Sequence, residues 1–183
     1  MRAVVGLGNP GEDYAATRHN AGFLLADALV EHWKLQPFRR AERARATEGS
    51  IGGVPVRVLK PTTFMNRSGS ALASLRADPT FTPSRDLLIL VDDFQIPLGT
   101  FRYRPDGSAG GHNGLKSIEG ALQSQQYARL RIGVGPLPEG IGDWADYVLQ
   151  PFEPDELEQV ESLMPQMIEA VEKWLRSAVP VAQ

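Results

Sequence analysis

The chain has 183 residues, of which 42% are apolar and 22% are charged, a balance typical of one globular domain with a sizeable core. Because it contains no cysteine, disulfides, thiolate nucleophiles and cysteine-ligated metal sites are excluded. The net charge of −3 gives no general attraction to nucleic acid, and the absence of a long apolar run predicts no membrane span.

The charge is unevenly distributed along the chain. Residues 137–183 carry ten acidic against two basic side chains, which leaves twelve acidic against seventeen basic in residues 1–136. A basic face that meets phosphates is one interpretation, and an ordinary solvated surface with an acidic last helix is the other. The opening "MRAVVGLGNP" is broken by Gly and Pro too early for a secretory signal, so we expect a cytoplasmic protein.

The first half of the chain predicts a strand, a helix and a hairpin. A short buried strand over residues 3–7 runs into the turn "GNPG", and apolar residues recur at helical spacing over residues 20–33. The Arg-rich stretch "FRRAERARA", residues 38–46, is expected to be a solvated surface connector, with contact to phosphates as the alternative. Alternating valines on one side of Gly52 and Gly53 indicate a hairpin.

The second half alternates helices and strands. A helix is predicted from about Ser68, and the apolar run "DLLILVDDF" indicates a central strand that ends at Asp92 and Asp93. Strands "GTFRYRPD" and "YARLRIGVG" flank a helix that opens at "GGHNG", and an amphipathic last helix contains Pro165, which should kink it. We therefore predict an α/β fold, a single three-layer domain over residues 1–183 with a twisted mixed β-sheet flanked by helices.

Polar side chains follow several of the predicted strands. In open α/β sheets, ligands bind at the carboxyl ends of the strands. The residues at such positions are Asn9, His19, Asn66, Asp93, His112 and Asn113. Each also has an ordinary explanation as a turn residue, a helix cap or a solvated acid at a strand end.

The motifs exclude several kinds of site and leave water as the nucleophile. "GSAGGHNG" lacks the Lys-Ser/Thr ending of a P-loop, "GLGNPG" is not a dinucleotide fingerprint, the histidines lack metal-ligand spacing, and no Gly-x-Ser-x-Gly elbow occurs. A histidine made more basic by a carboxylate can take a proton from water near neutral pH. His19 with Asp93 is the predicted pair, Asn amides would stabilise the oxyanion, and the reaction would be hydrolysis of an activated acyl bond such as an ester.

Five motifs in order resemble those of the bacterial peptidyl-tRNA hydrolase family. They are "VVGLGNPGEDYAATRHNAGF", "KPTTFMNRSG", "VDDFQIPLG", "GGHNGLKSI" and "RLRIGVG", and they span most of residues 4–135. The resemblance implies a monomeric α/β hydrolase that needs no cofactor or metal. Its substrate would be peptidyl-tRNA, cleaved at the ester between the peptide and the tRNA 3′ ribose.

The resemblance also implies roles for individual residues. His19 would be the catalytic base and Asp93 its partner, and the remaining positions divide between substrate binding and a clamp for the tRNA 5′ phosphate. The substrate-binding set is Asn9, Tyr14, Met65, Asn66, His112 and Asn113, and the clamp is Arg104, Arg131 and Lys116. Two features depart from the family pattern. Asp92 beside Asp93 is expected to raise the coupled pKa values of the two carboxyl groups, and the lid-like loop "PLPEGIGDWADYV" is acidic.

Two other classes of function stay open at this point. One is an RNA-binding protein on the same fold without turnover. The other is a hydrolase of a different small ester or amide. The set of His and Asn side chains argues against the first, and the lack of a nucleophile motif argues against most members of the second.

Overall fold

The computed structural model describes residues 1–177. The strands are β1 (Arg2–Gly6), β2 (Arg39–Ala41), β3 (Ala44–Ile51), β4 (Val54–Pro61), β5 (Leu87–Pro97), β6 (Phe101–Arg104) and β7 (Ala128–Gly135). The α-helices are α1 (Ala21–His32), α2 (Ala73–Arg76), α3 (Pro83–Asp86), α4 (Asn113–Leu122), α5 (Trp144–Val148) and α6 (Pro154–Arg176). Short 3₁₀ helices cover Glu12–Tyr14, Arg18–Asn20 and Met65–Leu72.

The strands form one mixed sheet in the order β2-β3-β4-β1-β5-β7-β6. The four central strands β4, β1, β5 and β7 are parallel, and the outer strands pair antiparallel. The carboxyl ends of the four parallel strands therefore share one edge of the sheet, where ligands bind in open α/β folds.

Apolar side chains cover both faces of the sheet and make two cores. Val4, Leu88 and Leu90 pack with α1 and α6 on one face, and Val5 and Ile89 pack with α4 and the 3₁₀ helix Met65–Leu72 on the other. Successive strand residues point to opposite faces, so central strands buried on both sides read as continuous apolar runs. The predicted α/β fold class, a mixed sheet between two helical layers, is confirmed.

Most predicted elements are present. The hairpin turns at Gly52 and Gly53, whose φ angles of 56° and 82° suit glycine. The Arg-rich stretch was wrongly predicted to be a connector, because it forms β2 and the start of β3 at the edge of the sheet. The chain from Ser68 is first 3₁₀ and then α2, and α6 continues through Pro165. No helix within residues 1–177 is long and apolar enough to cross a membrane.

A glycine lets α1 lie close to the sheet. A Cβ atom at Gly22 would clash with the backbone oxygens of Leu7 and Leu90. The first turn of α1 can therefore rest directly on the chain just past the end of β1 and on Leu90 within β5. This contact fixes the 3₁₀ helix Arg18–Asn20, immediately before α1, at the carboxyl edge of the sheet.

Candidate active site

The candidate site lies at the carboxyl end of β1 and beside the middle of β5, at the centre of the sheet. Asn9 follows β1, His19 comes from the 3₁₀ helix before α1, and Asp92 lies near the end of the apolar part of β5. His112 is the N-cap residue of α4. The segments at the start of α1 and α4, two helices on opposite faces of the sheet, each place one histidine beside Asp92.

A buried carboxylate joins the two histidines. His19 Nδ1 lies 2.8 Å from Asp92 Oδ2, and His112 Nε2 lies 2.9 Å from Asp92 Oδ1. The two imidazole rings are tilted against each other with their centroids 5.0 Å apart. The side chain of Asp92 is only 2% exposed, so both contacts are sheltered from water.

The hydrogen bonds define which ring nitrogens carry protons. The backbone N–H groups of Gly114 and Leu115 donate to His112 Nδ1, so the proton of that neutral ring is on Nε2 and is donated to Asp92. His19 Nδ1–H donates to the other oxygen of the same carboxylate. His19 Nε2 therefore keeps its lone pair, the arrangement that a general base needs.

The environment changes the proton affinity of both partners. Burial lowers the pKa of His19, but the charge of Asp92 and its hydrogen bond outweigh burial and hold this pKa above the ordinary value of 6.5. For Asp92, burial raises the pKa, and the opposing effects of His19 and His112 hold it well below its ordinary range. Asp92 is therefore an ionised acceptor, and the imidazole of His19 is a stronger base than a free one.

The predicted pairing of His19 with Asp93 is wrong, because Asp92 occupies that place. Asp93 points to the opposite face of β5, where Oδ2 accepts from Arg131 Nη1 at 3.3 Å and Oδ1 accepts from Gln95 N at 2.8 Å. Alternation along the strand explains the difference. Asp92 shares its face with Leu90 below α1, whereas Asp93 shares its face with Val91, the partner of Arg131 in β7. The expected rise in the pKa of Asp92 is also wrong in direction.

Asn9 is held in a single orientation. Asn20 Oδ1 accepts from the backbone N–H of Asn9, and Asn20 Nδ2 donates to the backbone oxygen of Asn9, both at 2.9 Å. The backbone N–H of Met65 donates to Asn9 Oδ1 at 2.8 Å. Since Oδ1 is used in this way, the amide NH₂ of Asn9 is the end that can donate to a substrate.

A cleft with a volume of about 210 Å³ opens beside these groups. It is lined by Asn9, His19, Phe64, Met65, Asn66, Asn113, Trp144, Ala145, Val148 and Leu149. The apolar wall comes from α5, within the loop that sequence similarity predicts to be lid-like. Tyr14 stands outside this lining and packs edge-on against Phe64, with ring centroids 6.2 Å apart.

Arg18 fixes the segment that carries His19. Its guanidinium donates to Glu156 Oε1 at 2.6 Å and lies 4.2 Å from the ring centre of Tyr147. The backbone N–H of Arg18 donates to the oxygen of Gln150. His19 is thus anchored to α5 and α6 through its neighbour Arg18, which sequence spacing did not predict.

The three predicted clamp residues lie outside the cleft. Arg104 is exposed at the end of β6, Lys116 is exposed on α4, and Arg131 on β7 is half-buried. Arg131 donates to the backbone oxygen of Ser108 as well as to Asp93. The register places Arg104 opposite Arg129 and Arg102 opposite Arg131, so basic side chains gather at this edge of the sheet.

His19, Asp92 and His112 also have the composition of a metal site. Their ligand atoms lie within 4.8 Å of one another. In this geometry the same atoms hydrogen-bond to one another, and the second nitrogen of His112 accepts from the backbone. Hydrogen bonding alone accounts for the closeness of the three groups, and a cation among them would have to displace both bridging protons.

Sequence reasoning missed the roles of Asp92 and Asn20. Successive side chains of β5 point to opposite faces of the sheet. This alternation distinguishes Asp92 from Asp93 only if the face that α1 covers is already known. Asn20 follows His19 directly, but nothing in its spacing indicates that its side chain holds the backbone of Asn9. Trp144 and Phe64 line the cleft, and apart from their large side chains nothing in the sequence indicates this position.

Comparison with known proteins gives a consistent result. A family profile described as "Peptidyl-tRNA hydrolase" matches residues 3–183. The peptidyl-tRNA hydrolase of Gemmatimonas aurantiaca is 46% identical over 96% of this chain and 93% of its own, and that of Gloeobacter violaceus is 43% identical over 100% and 91%. A crystal structure of peptidyl-tRNA hydrolase from Acinetobacter baumannii superposes with a TM-score of 0.89 at 31% identity, covering 98% of this chain and 91% of that one.

Proposed function

The chain belongs to the peptidyl-tRNA hydrolase family, and we propose that it cleaves its substrate with a water molecule activated by His19 and Asp92. The reaction is hydrolysis of peptidyl-tRNA, which releases a peptide and a tRNA. The observation that carries the mechanism is the contact between His19 Nδ1 and Asp92 at the rim of the cleft.

The first step is proton transfer from water to His19 Nε2. The resulting hydroxide attacks the ester carbonyl carbon, and the carbonyl oxygen becomes an oxyanion. The imidazolium that forms is stabilised by the buried charge of Asp92. On collapse of the intermediate, the imidazolium returns its proton to the leaving ribose oxygen, so the base is regenerated.

Amide groups would stabilise the oxyanion. Asn9 is the best-supported oxyanion donor, because Met65 and Asn20 fix its orientation and leave its NH₂ group free to donate. Asn66 and Asn113 line the same cleft from two other elements and would position the substrate and the water. A fixed donor aimed at the developing charge requires little reorganisation during the reaction.

The other predicted residues would bind the two halves of the substrate. Met65 and the walls of the cleft would contact the peptide, with His112 acting behind them through Asp92. Tyr14, packed on Phe64 beside the cleft, would meet the tRNA 3′ end. Arg104, Arg131 and Lys116 would form the clamp for a tRNA phosphate, since guanidinium and ammonium groups bind phosphate strongly.

We also infer that the protein acts as a cytoplasmic monomer with one catalytic domain over residues 1–183. Support for a monomer is that His19, Asp92, His112 and Asn9 all come from one copy of the chain. Support for the cytoplasm is the substrate itself, which arises from translation. Residues 178–183 of the inferred domain lie outside the described residues.

The test compares cleavage of N-acetylphenylalanyl-tRNA by the natural protein, His19→Ala and His32→Ala. His32 is the matched control, since it is exposed at the far end of α1, about 18 Å of helix away from His19. The natural protein and His32→Ala should cleave this substrate, and His19→Ala should be slower by about 10²–10⁴. Equal rates for the two variants would remove His19 from the mechanism.

A further inference from the structure

The 3₁₀ helix that carries His19 consists of three residues, Arg18, His19 and Asn20, and all three are buried. Because a 3₁₀ helix has three residues per turn, its successive side chains point in directions about 120° apart. His19 reaches Asp92, and Asn20 reaches the backbone of Asn9. Arg18 points in the third direction and contacts α5 and α6. The proposed mechanism uses two of these directions and leaves the third unexplained.

A helix this short does not fix its own position. It contains a single turn, and its N-cap residue, Thr17, makes no capping hydrogen bond with its side chain. A single turn orders several backbone angles for few hydrogen bonds, so it is not stable by itself in water. The position of His19 relative to Asp92 therefore depends on the contacts that its two neighbours make with the rest of the fold.

The guanidinium of Arg18 is held on more than one side. Its Nη2 donates to Glu156 Oε1 at 2.6 Å, and its Nη1 donates to the backbone oxygen of Tyr147 at 3.1 Å. Its central carbon lies 4.2 Å from the centre of the Tyr147 ring. The backbone N–H of Arg18 donates to the oxygen of Gln150 at 3.1 Å. Side chain and backbone are thus both attached to the segment that contains α5 and the start of α6.

The partners of the guanidinium are themselves fixed. Glu156 Oε1 also accepts from the backbone N–H of Glu153 at 2.8 Å, as part of the capping box that begins α6. The hydroxyl of Tyr147 donates to the backbone oxygen of Val134 in β7 at 2.6 Å. Arg18 therefore connects the catalytic base to the first turn of α6 and, through Tyr147, to the sheet.

The energetics of this arrangement favour a positioning role over a purely stabilising one. The side chains of Arg18 and Glu156 are 6% and 17% exposed, so both charges lose most of their hydration. The Nε–H group of Arg18 is buried and has no hydrogen-bond partner among residues 1–177. A buried ion pair often adds little stability over apolar packing, because desolvation offsets the attraction between the charges. It does fix the relative position of the two elements that it joins.

We propose that Arg18 is a positioning residue for the hydrolysis, which holds the imidazole of His19 against Asp92. The proposal rests on the proposed function, in which His19 takes a proton from water. A displacement of about 1 Å caused by a change outside the reacting groups can cost about a hundredfold in rate. Lysine cannot replace arginine here, because a single ammonium group lacks the planar fork that reaches Glu156 and Tyr147 together.

The test compares Arg18→Lys with Arg39→Lys in single-turnover cleavage of N-acetylphenylalanyl-tRNA. Arg39 in β2 is the matched control, since it also pairs with a glutamate, Glu48, at 3.0 Å, but its side chain is 68% exposed. Neither change alters the net charge, so the attraction of tRNA is preserved. Arg18→Lys should slow the chemical step by about tenfold to a hundredfold. Arg39→Lys should cleave at the natural rate, and both variants should bind deacylated tRNA as the natural protein does.

Combination with His19→Ala distinguishes positioning from a merely structural role. If Arg18 acts through His19, Arg18→Lys should change the rate of the His19→Ala protein by less than about twofold, because two changes that act through one group are not additive. A general loss of structure would lower the rate in both backgrounds. Glu156→Gln is the second variant. It keeps Oε1 for the backbone of Glu153, and its smaller loss of rate should likewise disappear when His19 is absent.

Equal rates for Arg18→Lys and Arg39→Lys would overturn the proposal. The same fractional loss with and without His19 would also overturn it, since Arg18 would then act on the substrate or on the fold as a whole. Urea unfolding of each variant shows that the rates belong to folded protein. Failure of the proposed function would appear separately, as cleavage by His19→Ala at the natural rate or as no cleavage by the natural protein.

Discussion

Replacing Asp92 with Asn tests the buried carboxylate while keeping its shape. Each oxygen of Asp92 accepts a hydrogen bond from an imidazole N–H. Asparagine has one accepting oxygen, so its NH₂ group must face one of the two histidines. If this NH₂ group faces His19, it donates to His19 Nδ1, and the proton of the neutral ring moves to Nε2. A protonated Nε2 cannot take a proton from water.

The expected loss is large. Removal of a general base costs about 10²–10⁴ in rate, and reversal of the tautomer places this variant near the upper limit. A factor of 10⁴ corresponds to about 5.4 kcal/mol of transition-state stabilisation. The neighbouring change Asp93→Asn is the matched control. It removes only the partly exposed contact with Arg131, so it should change the rate by less than about tenfold.

The assay is single-turnover cleavage of N-acetylphenylalanyl-tRNA, with tRNA affinity and thermal unfolding measured on the same samples. Asp92→Asn should bind tRNA and remain folded while the chemical step collapses. The reasoning would be refuted if Asp92→Asn cleaved at the natural rate, or if Asp93→Asn were the variant that lost the chemical step.

Three further predictions follow from the same groups. The kcat/KM of the natural protein should rise with pH through a pKa above 6.5, because Asp92 raises the pKa of His19 and only the neutral ring is a base; a midpoint below 6.5 would contradict this. Because the pKa of Asp92 is lowered on folding, its stabilisation is present above the unfolded value of about 3.9 and is lost as pH falls further; urea titrations should show this loss in the natural protein and less of it in Asp92→Asn. Asn20→Ala leaves two buried backbone groups of Asn9 without partners and should cost about 2–6 kcal/mol in urea unfolding, whereas an unchanged midpoint would mean that water replaces the clamp.

The fold was predictable where the chain obeys simple periodicity. The apolar run of β5 and the glycine pair of the hairpin each have one reasonable interpretation, and both elements are present. The Arg-rich stretch was not predictable in the same way. Charged residues are common on short edge strands, and a strand of three residues has too few positions to show alternation.

The site was predictable in its residues more than in its contacts. His19, Asn9 and Asn113 were placed at the carboxyl edge of the sheet by the order of strands and helices, and all three line the cleft. The choice between Asp92 and Asp93 depends on strand alternation relative to α1. Because β5 is apolar on both faces, the sequence alone does not indicate which carboxylate faces the histidine.

Chemical rescue tests most directly whether His19 is the base. Cleavage of N-acetylphenylalanyl-tRNA by His19→Ala should be measured with and without added imidazole, across the pH range in which imidazole titrates. Slow cleavage that imidazole partly restores, in proportion to its neutral form, is the predicted result. Full turnover by His19→Ala without imidazole, or equal restoration by the protonated form, would contradict the assignment of His19 as the group that takes the proton from water.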